Sequence, residues 1–307
     1  MSSGDPETAL PAIKAMVERF PDSAQAMGLL ARAYDLMGDA EAVEVTLTEL
    51  TERFPEAVEA RVALARLYLR REEFDAAQKL AAALIAGEES LAVGYALQGD
   101  IDFAKGDMPE ALAAFRMVYT LDPSSQSLLK LYAAHQQTGG DATILDEWLV
   151  EHPDDVAVRV IKGMADISGG RQPDAIAEYE KVLELAPNNV IALNNLAWIY
   201  DEMDDERAVE YARRAYEAAP SCAEIADTYG WIMLRKGNRE QAVDLLTKAT
   251  EAAPENPDIR CHFASALAEA GDNASAIGEL ESILNTDLVF PSRADAATLL
   301  QDLQKRE

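Results

Sequence analysis

Hydrophobic and small residues recur along this chain in short blocks with helical spacing, and the blocks repeat. Reading on from Asn188, Leu196-Ala197-Trp198 is followed by Ala208, Ala215 and Pro220; then Tyr229-Gly230-Trp231, Gly237, Ala242, Ala249 and Pro254. A third copy gives Phe263-Ala264, Gly271-Asp272, Ala276 and Ile283. Prolines at 21, 55, 123, 153, 187, 220 and 254 carry the period of about 34 residues through the chain, the interval from 55 to 123 being twice 34. Two small places per period predict two helices packed at a close crossing, joined by a turn and closed at the proline.

Counted this way, the chain divides into a half repeat at 5–21, repeats at 22–55, 56–89, 90–123, 124–153, 154–187, 188–220, 221–254 and 255–288, and a capping helix at 291–303. Numbering each repeat from the third residue after its closing proline, position eight is Ala31, Ala65, Gly99, Ala133, Gly163, Ala197, Gly230 and Ala264. Position twenty, on the second helix, is Val43, Ala77, Ala111, Ala175, Ala208, Ala242 and Ala276. The repeat at 124–153 is shortened, with Gly139-Gly140 ahead of a curtailed second helix. Ala294, Ala297, Leu300 and Leu303 give the last helix an apolar stripe to cover the exposed end of the array. The opening helix has Ala9 and Met16 where Ala242 and Ala249 precede Pro254, so it reads as the second half of a repeat, and Leu10, Ile13 and Val17 are expected to be half covered. On that reading Met1 is not the natural beginning of the protein.

This period, with its fixed small residues and closing proline, is the tetratricopeptide (TPR) signature. The fold class expected is all-α, a right-handed TPR solenoid of helix-turn-helix repeats with a C-terminal capping helix.

Charge narrows the partners. With 27 basic against 55 acidic side chains in 307 residues, a net −28 repels phosphate backbones and anionic lipid headgroups, so nucleic acid and membrane surfaces are not expected as direct ligands, while a cationic partner stays open. No apolar run approaches a membrane span. Two cysteines, Cys222 and Cys261, cannot build a disulfide framework and read as small, partly buried residues of neighbouring repeats.

On the first helix of each repeat, positions two, five, nine and twelve fall on one stripe, which in an array faces the groove. From residue 188 that stripe holds Ile191, Asn194 and Trp198, then Glu224, Asp227 and Trp231, then Asp258, Cys261 and Ser265, flanked by Asn195, Thr228 and His262. Trp198 and Trp231 one repeat apart offer flat faces to a peptide anchor or a sugar ring, and the alternative is that they bridge adjacent first helices as core. The candidate groove set is therefore Asn194, Asn195, Trp198, Asp227, Thr228, Trp231 and His262. Nearer the amino end, Arg32 and Arg66 share position nine, with Lys130 at position five two repeats on. They could clamp an acidic segment or pair with the chain's own carboxylates. Co-chaperones of this class that grip a terminal carboxylate combine lysine, asparagine and arginine at positions five, six and nine; here Asn195 lacks the basic partners.

Nothing in the sequence suggests catalysis. The three histidines, His135, His152 and His262, show no metal-ligand spacing, and no glycine-rich phosphate loop or Ser/His/Asp set is present. Cys261 and His262 are adjacent on a helix and point about 100° apart. No cofactor and no metal are expected, and the repeats leave no stretch for a separate catalytic domain.

The strings Leu193-Asn194-Asn195-Leu196-Ala197-Trp198, Asp227-Thr228-Tyr229-Gly230-Trp231-Ile232 and Arg260-Cys261-His262-Phe263-Ala264 resemble the tail of bacterial TPR lipoproteins, often called PrsT, that accompany PEP-CTERM protein sorting and exopolysaccharide production. The likeness covers about 188–303. It implies a non-enzymatic scaffold of the cell envelope, whose partner is a protein or peptide, with direct polysaccharide binding by the same tryptophans as the alternative. The signal and lipid-anchoring cysteine of that family are absent from this sequence, which leaves the periplasm and the cytoplasm both open.

Overall fold

The computed structural model describes residues 6–87, 90–286 and 288–305. Met1, Asp5 and Glu89, where repeat boundaries were expected, lie outside them. Among the described residues there are eighteen α-helices and no strand. A single helix α1 (Pro6–Arg19) precedes α2 and α3 (Ala24–Leu36, Ala40–Arg53), α4 and α5 (Val58–Arg70, Phe74–Ile85), α6 and α7 (Leu91–Lys105, Met108–Leu121), and α8 and α9 (Ser125–Gln137, Thr143–Glu151). Then follow α10 and α11 (Val156–Ser168, Gln172–Leu185), α12 and α13 (Val190–Glu202, Arg207–Ala218), α14 and α15 (Ala223–Arg235, Arg239–Ala252), α16 and α17 (Pro257–Ala270, Asn273–Leu284), and α18 (Arg293–Gln304). None is long and apolar enough to cross a membrane.

The helices start where short polar side chains satisfy free backbone donors. Ser23, Asp39, Asp155, Asn189 and Asp272 each accept a bond from an amide three residues on. Between the two helices of every repeat stands one residue with positive φ: Gly38, Glu72, Gly106, Gly139, Gly170, Asp204, Gly237 and Gly271. Six of these eight are glycine, the residue that enters the left-handed region without a Cβ penalty. Glu72, at φ 59°, therefore carries strain that glycine would relieve. Glu72→Gly is expected to raise stability by about 0.5–1 kcal/mol, read as a higher urea midpoint, because the penalty removed exceeds the extra unfolded-chain entropy. A lower midpoint would show that the turn tolerates Glu72 without cost.

The chain forms two compact units, 1–145 and 146–307, divided inside α9. In the first, Met27, Leu47, Leu50 and Leu64 build one core segment, Ala65, Ala77, Leu84 and Ile101 the next, and Phe115, Leu131 and Ala134 a third. In the second, a larger core runs from Val160 through Tyr179, Leu196 and Tyr200 to Leu246, and a terminal one joins Leu280, Ile283, Phe290 and Leu303. Leu10, Ile13 and Val17 of α1 are half-buried.

The small residues mark the crossings, with a complementarity visible only in three dimensions. A Cβ on Gly99 would lie 2.5 Å from the ring of Phe115, and one on Gly163 2.7 Å from that of Tyr179. At Gly230 the neighbour is Leu246, again at 2.7 Å. Large side chains on the second helix thus fill what these glycines leave empty. The position-twenty residues Val43, Ala77, Ala111, Ala175, Ala208, Ala242 and Ala276 are all buried.

The shortened repeat departs from this pattern. Ser124 follows Pro123 directly as N-cap, in a reciprocal capping box with Ser127, so α8 begins one residue sooner after its proline than its counterparts do. Its buried residues shift with it to Ser127, Leu128, Leu131, Tyr132 and Ala134, matching Ala192, Leu193, Leu196, Ala197 and Ile199 of α12. Tyr132, not Ala133, takes the eighth place, and Ala133 is half-buried. The partner α9 has only nine residues.

The capping helix also differs in register. It runs Arg293–Gln304 and buries Ala296 and Leu303, with Leu299 and Leu300 packed beside them. Ala294, expected on the covered stripe, is exposed. Asp258 accepts bonds from the Ser292 amide at 3.0 Å and hydroxyl at 2.6 Å, tying α16 to the start of α18.

Candidate binding groove

Residues on α12, α14 and α16 make up the tryptophan segment. Trp198 of α12 is 43% exposed and thus not core. Beside it Asn194 and Asn195 are half-buried, and Asn194 Oδ1 is inaccessible and without a hydrogen-bond partner among the described residues. On α14, Trp231 is half-buried and stacks on the ring of His262 from α16, with centroids 4.3 Å apart and planes at 26°. His262 Nδ1 lies 2.8 and 3.0 Å from the two carboxylate oxygens of Asp227. A carboxylate only accepts, so Nδ1 carries the proton and donates. Asp227, Trp231 and His262 are thereby locked together across two repeats, and the stack fixes the indole plane. The Thr228 hydroxyl is spent within its own helix, donating to the Glu224 carbonyl at 2.9 Å.

The sequence could not show that position five of the last repeat is covered. Cys261 is 3% exposed, and its sulfur lies 3.9 Å from the Ser292 carbonyl. Burial pushes its thiol above the usual range. His262 faces Asp227 and Trp231 on the neighbouring first helix. Cys222 is half-buried and stands at the N-cap of α14.

The basic residues of the first unit separate into two kinds. Lys130 Nζ lies 2.5 and 2.7 Å from the carboxylate oxygens of Asp100 and 5.5 Å over the Phe115 ring. It is held by its own chain rather than free to clamp a ligand. Arg32 and Arg66 are exposed, and neither makes an ion pair or hydrogen bond with any described residue. Both line a cavity of about 630 Å³ between α2 and α4. Arg66 also borders a second cavity of about 230 Å³ reaching α6 and α8.

Three family models described as tetratricopeptide repeat match the chain, one at residues 1–56 and 233–303, one at 178–210 and one at 44–90 and 63–126. The chain is a tetratricopeptide-repeat protein. Among solved structures, a chain of the APC/C hetero-tetramer Cut9-Hcn1 aligns over 97% of this chain with a TM-score of 0.59 at 14% identity. This chain spans 59% of that one's length. MamA aligns over 51% of this tetratricopeptide protein and 95% of its own chain, at 25% identity and a TM-score of 0.44. No curated protein matches the sequence. At 14% identity the Cut9-Hcn1 likeness fixes the all-α tetratricopeptide fold, and the ligand has to be argued from the residues of this chain.

Proposed function

We propose that this protein is a non-enzymatic scaffold that docks a segment of a partner protein along α12, α14 and α16. The observation that carries the reading is the pair of tryptophans: Trp198 is 43% exposed, and Trp231 is held in a fixed plane by His262, itself held by Asp227. An aromatic surface ordered before binding loses little entropy when a ligand covers it, which is what an anchor site needs. The tetratricopeptide fold, built from first helices presented side by side, supports a protein or peptide ligand. The likeness of residues 188–303 to TPR lipoproteins of the PEP-CTERM and exopolysaccharide systems supports a role in bacterial cell-envelope polysaccharide assembly or export.

The test compares the native chain with a Trp198→Ala, Trp231→Ala double variant. Proteins retained from the native envelope fraction are identified, purified and titrated against both forms by calorimetry. Loss of two aromatic anchors is expected to weaken binding about thirtyfold or more, with helical circular dichroism unchanged. Equal affinity for both forms would remove the tryptophans from the site. A second reading, a polysaccharide module, draws on the same exposed Trp198 face: quenching of tryptophan emission by exopolysaccharide fragments, without a retained protein, would replace the scaffold reading.

A further inference from the structure

The groove between α2 and α4 has a chemistry opposite to that of the rest of the chain. Its cavity of about 630 Å³ is lined by Arg32, Arg66 and Arg70 against two carboxylates, Asp35 and Glu59. That is a local excess of one positive charge in a protein of net −28. Arg70 stands 3.8 Å from Asp35, whereas Arg32 and Arg66 have no ionic or hydrogen-bonding partner among the described residues. With 55 acidic side chains in the sequence, two neighbouring arginines left without a partner are unexpected, since a guanidinium readily takes a carboxylate in its fork. Between them the floor is apolar: Leu29 is 42% exposed, and a Cβ on Gly28 would meet nothing within 4 Å, so the space above it is open.

We propose that this groove binds an extended, acidic and aliphatic segment of a partner protein, with side-chain carboxylates on Arg32 and Arg66 and an aliphatic side chain over Gly28 and Leu29. The segment passes through rather than ending there. Arg66 also lines the adjoining cavity of about 230 Å³, where Val93 is 40% exposed. The path therefore continues beyond the second arginine, and its next basic group, Lys130, is already taken by Asp100. This site lies on α2 and α4, whereas the tryptophan segment lies on α12 to α16.

The experiment selects random twelve-residue peptides on the full chain, displayed in one library inside a flanking sequence and in another with free carboxyl ends. The same selection is run on Arg32→Glu, Arg66→Glu and on the Trp198→Ala, Trp231→Ala variant. The expected result is enrichment of internal peptides carrying Asp or Glu within two residues of Leu, Ile or Met, on the native chain and the tryptophan variant alike. The best synthetic peptide should bind the charge-reversed form at least about tenfold more weakly by fluorescence anisotropy, and bind the native chain more weakly as salt rises. Because both arginines are exposed and without partners, their replacement should leave the urea midpoint unchanged; if it does not, Arg32→Gln, Arg66→Gln takes its place in the comparison. The proposal is overturned by enrichment without acidic residues, by equal binding to the charge-altered forms, or by retention of free carboxyl ends alone. It is equally overturned if sedimentation shows the native chain pairing with itself through these arginines, the occupant then being a second copy.

Discussion

Tyr179→Ala is expected to lower stability by about 3–5 kcal/mol, read as a fall in the urea midpoint at unchanged native helicity. Tyr179 is fully buried in the largest core, between α10 and the helices that follow. Its ring fills the space left by Gly163, where even a Cβ would lie 2.7 Å away. Truncation removes the ring's burial and leaves a cavity beside a glycine that has nothing with which to fill it. Two companion variants test the cause. Tyr179→Phe should be neutral or stabilising, because the phenol oxygen is buried without a partner among the described residues, and burial pushes the phenol above its usual range. Gly163→Ala alone should cost about 1–3 kcal/mol through overpacking, yet Gly163→Ala with Tyr179→Leu should cost less than the two separate losses. That double variant recreates the alanine and leucine found at the same two places as Ala264 and Leu280. If the losses simply add, glycine and ring do not form the complementary unit described above.

Much of this fold is legible in the sequence because repetition multiplies a weak local signal. A single buried alanine says little, but small residues at a common register across successive copies identify a crossing that each copy must make. The same reliance on register explains the errors. Counting from Pro123 places Ala133 at a crossing that Tyr132 occupies, because Ser124 caps α8 immediately after the proline and removes one linker residue. Glycine stands at the left-handed turn at 38, 106, 139, 170, 237 and 271, but Glu72 and Asp204 break the set, and a period read from prolines and crossings does not reveal it. The candidate site is less legible for a physical reason. Position numbers place Trp198, Trp231 and Cys261 on one stripe with His262 beside it, but only packing shows Cys261 covered by the terminal segment and His262 stacked on Trp231. Likewise, no periodicity distinguishes Lys130, whose charge is met by Asp100, from Arg32 and Arg66, whose charges no described residue meets. Pairing depends on distances between helices, which one-dimensional spacing does not contain.

Asp166→Ala should be the most damaging single change to a polar residue, costing about 3–5 kcal/mol at neutral pH. Asp166 is fully buried and accepts from Lys162 Nζ at 2.7 Å and from Arg171 at 2.8–2.9 Å. The Lys162 side chain is only 9% exposed, and its other carboxylate, Asp146, is 3.3 Å away and largely exposed. Burial, the largest single influence, would lower the lysine's affinity for its proton, but the bonds and charges of Asp166 and Asp146 together outweigh it, and Lys162 is held above its ordinary range. The cost of the substitution is therefore chiefly that of a buried ammonium deprived of its main partner. The sign with pH follows. A raised lysine contributes stability that is fully present below its unfolded value, about 10.4, and lost as pH rises through the higher folded value. The difference between native protein and Asp166→Ala should hold through the neutral range and shrink in strongly alkaline solution, as the stranded lysine of the variant gives up its proton and then the native one does. Lys162→Met with Asp166→Leu should recover most of the loss, because apolar replacement of both partners removes the uncompensated charge. Failure of that double variant to recover stability would mean that the pair contributes through hydrogen bonds to Arg171 and the shape of its pocket, rather than by neutralising Lys162.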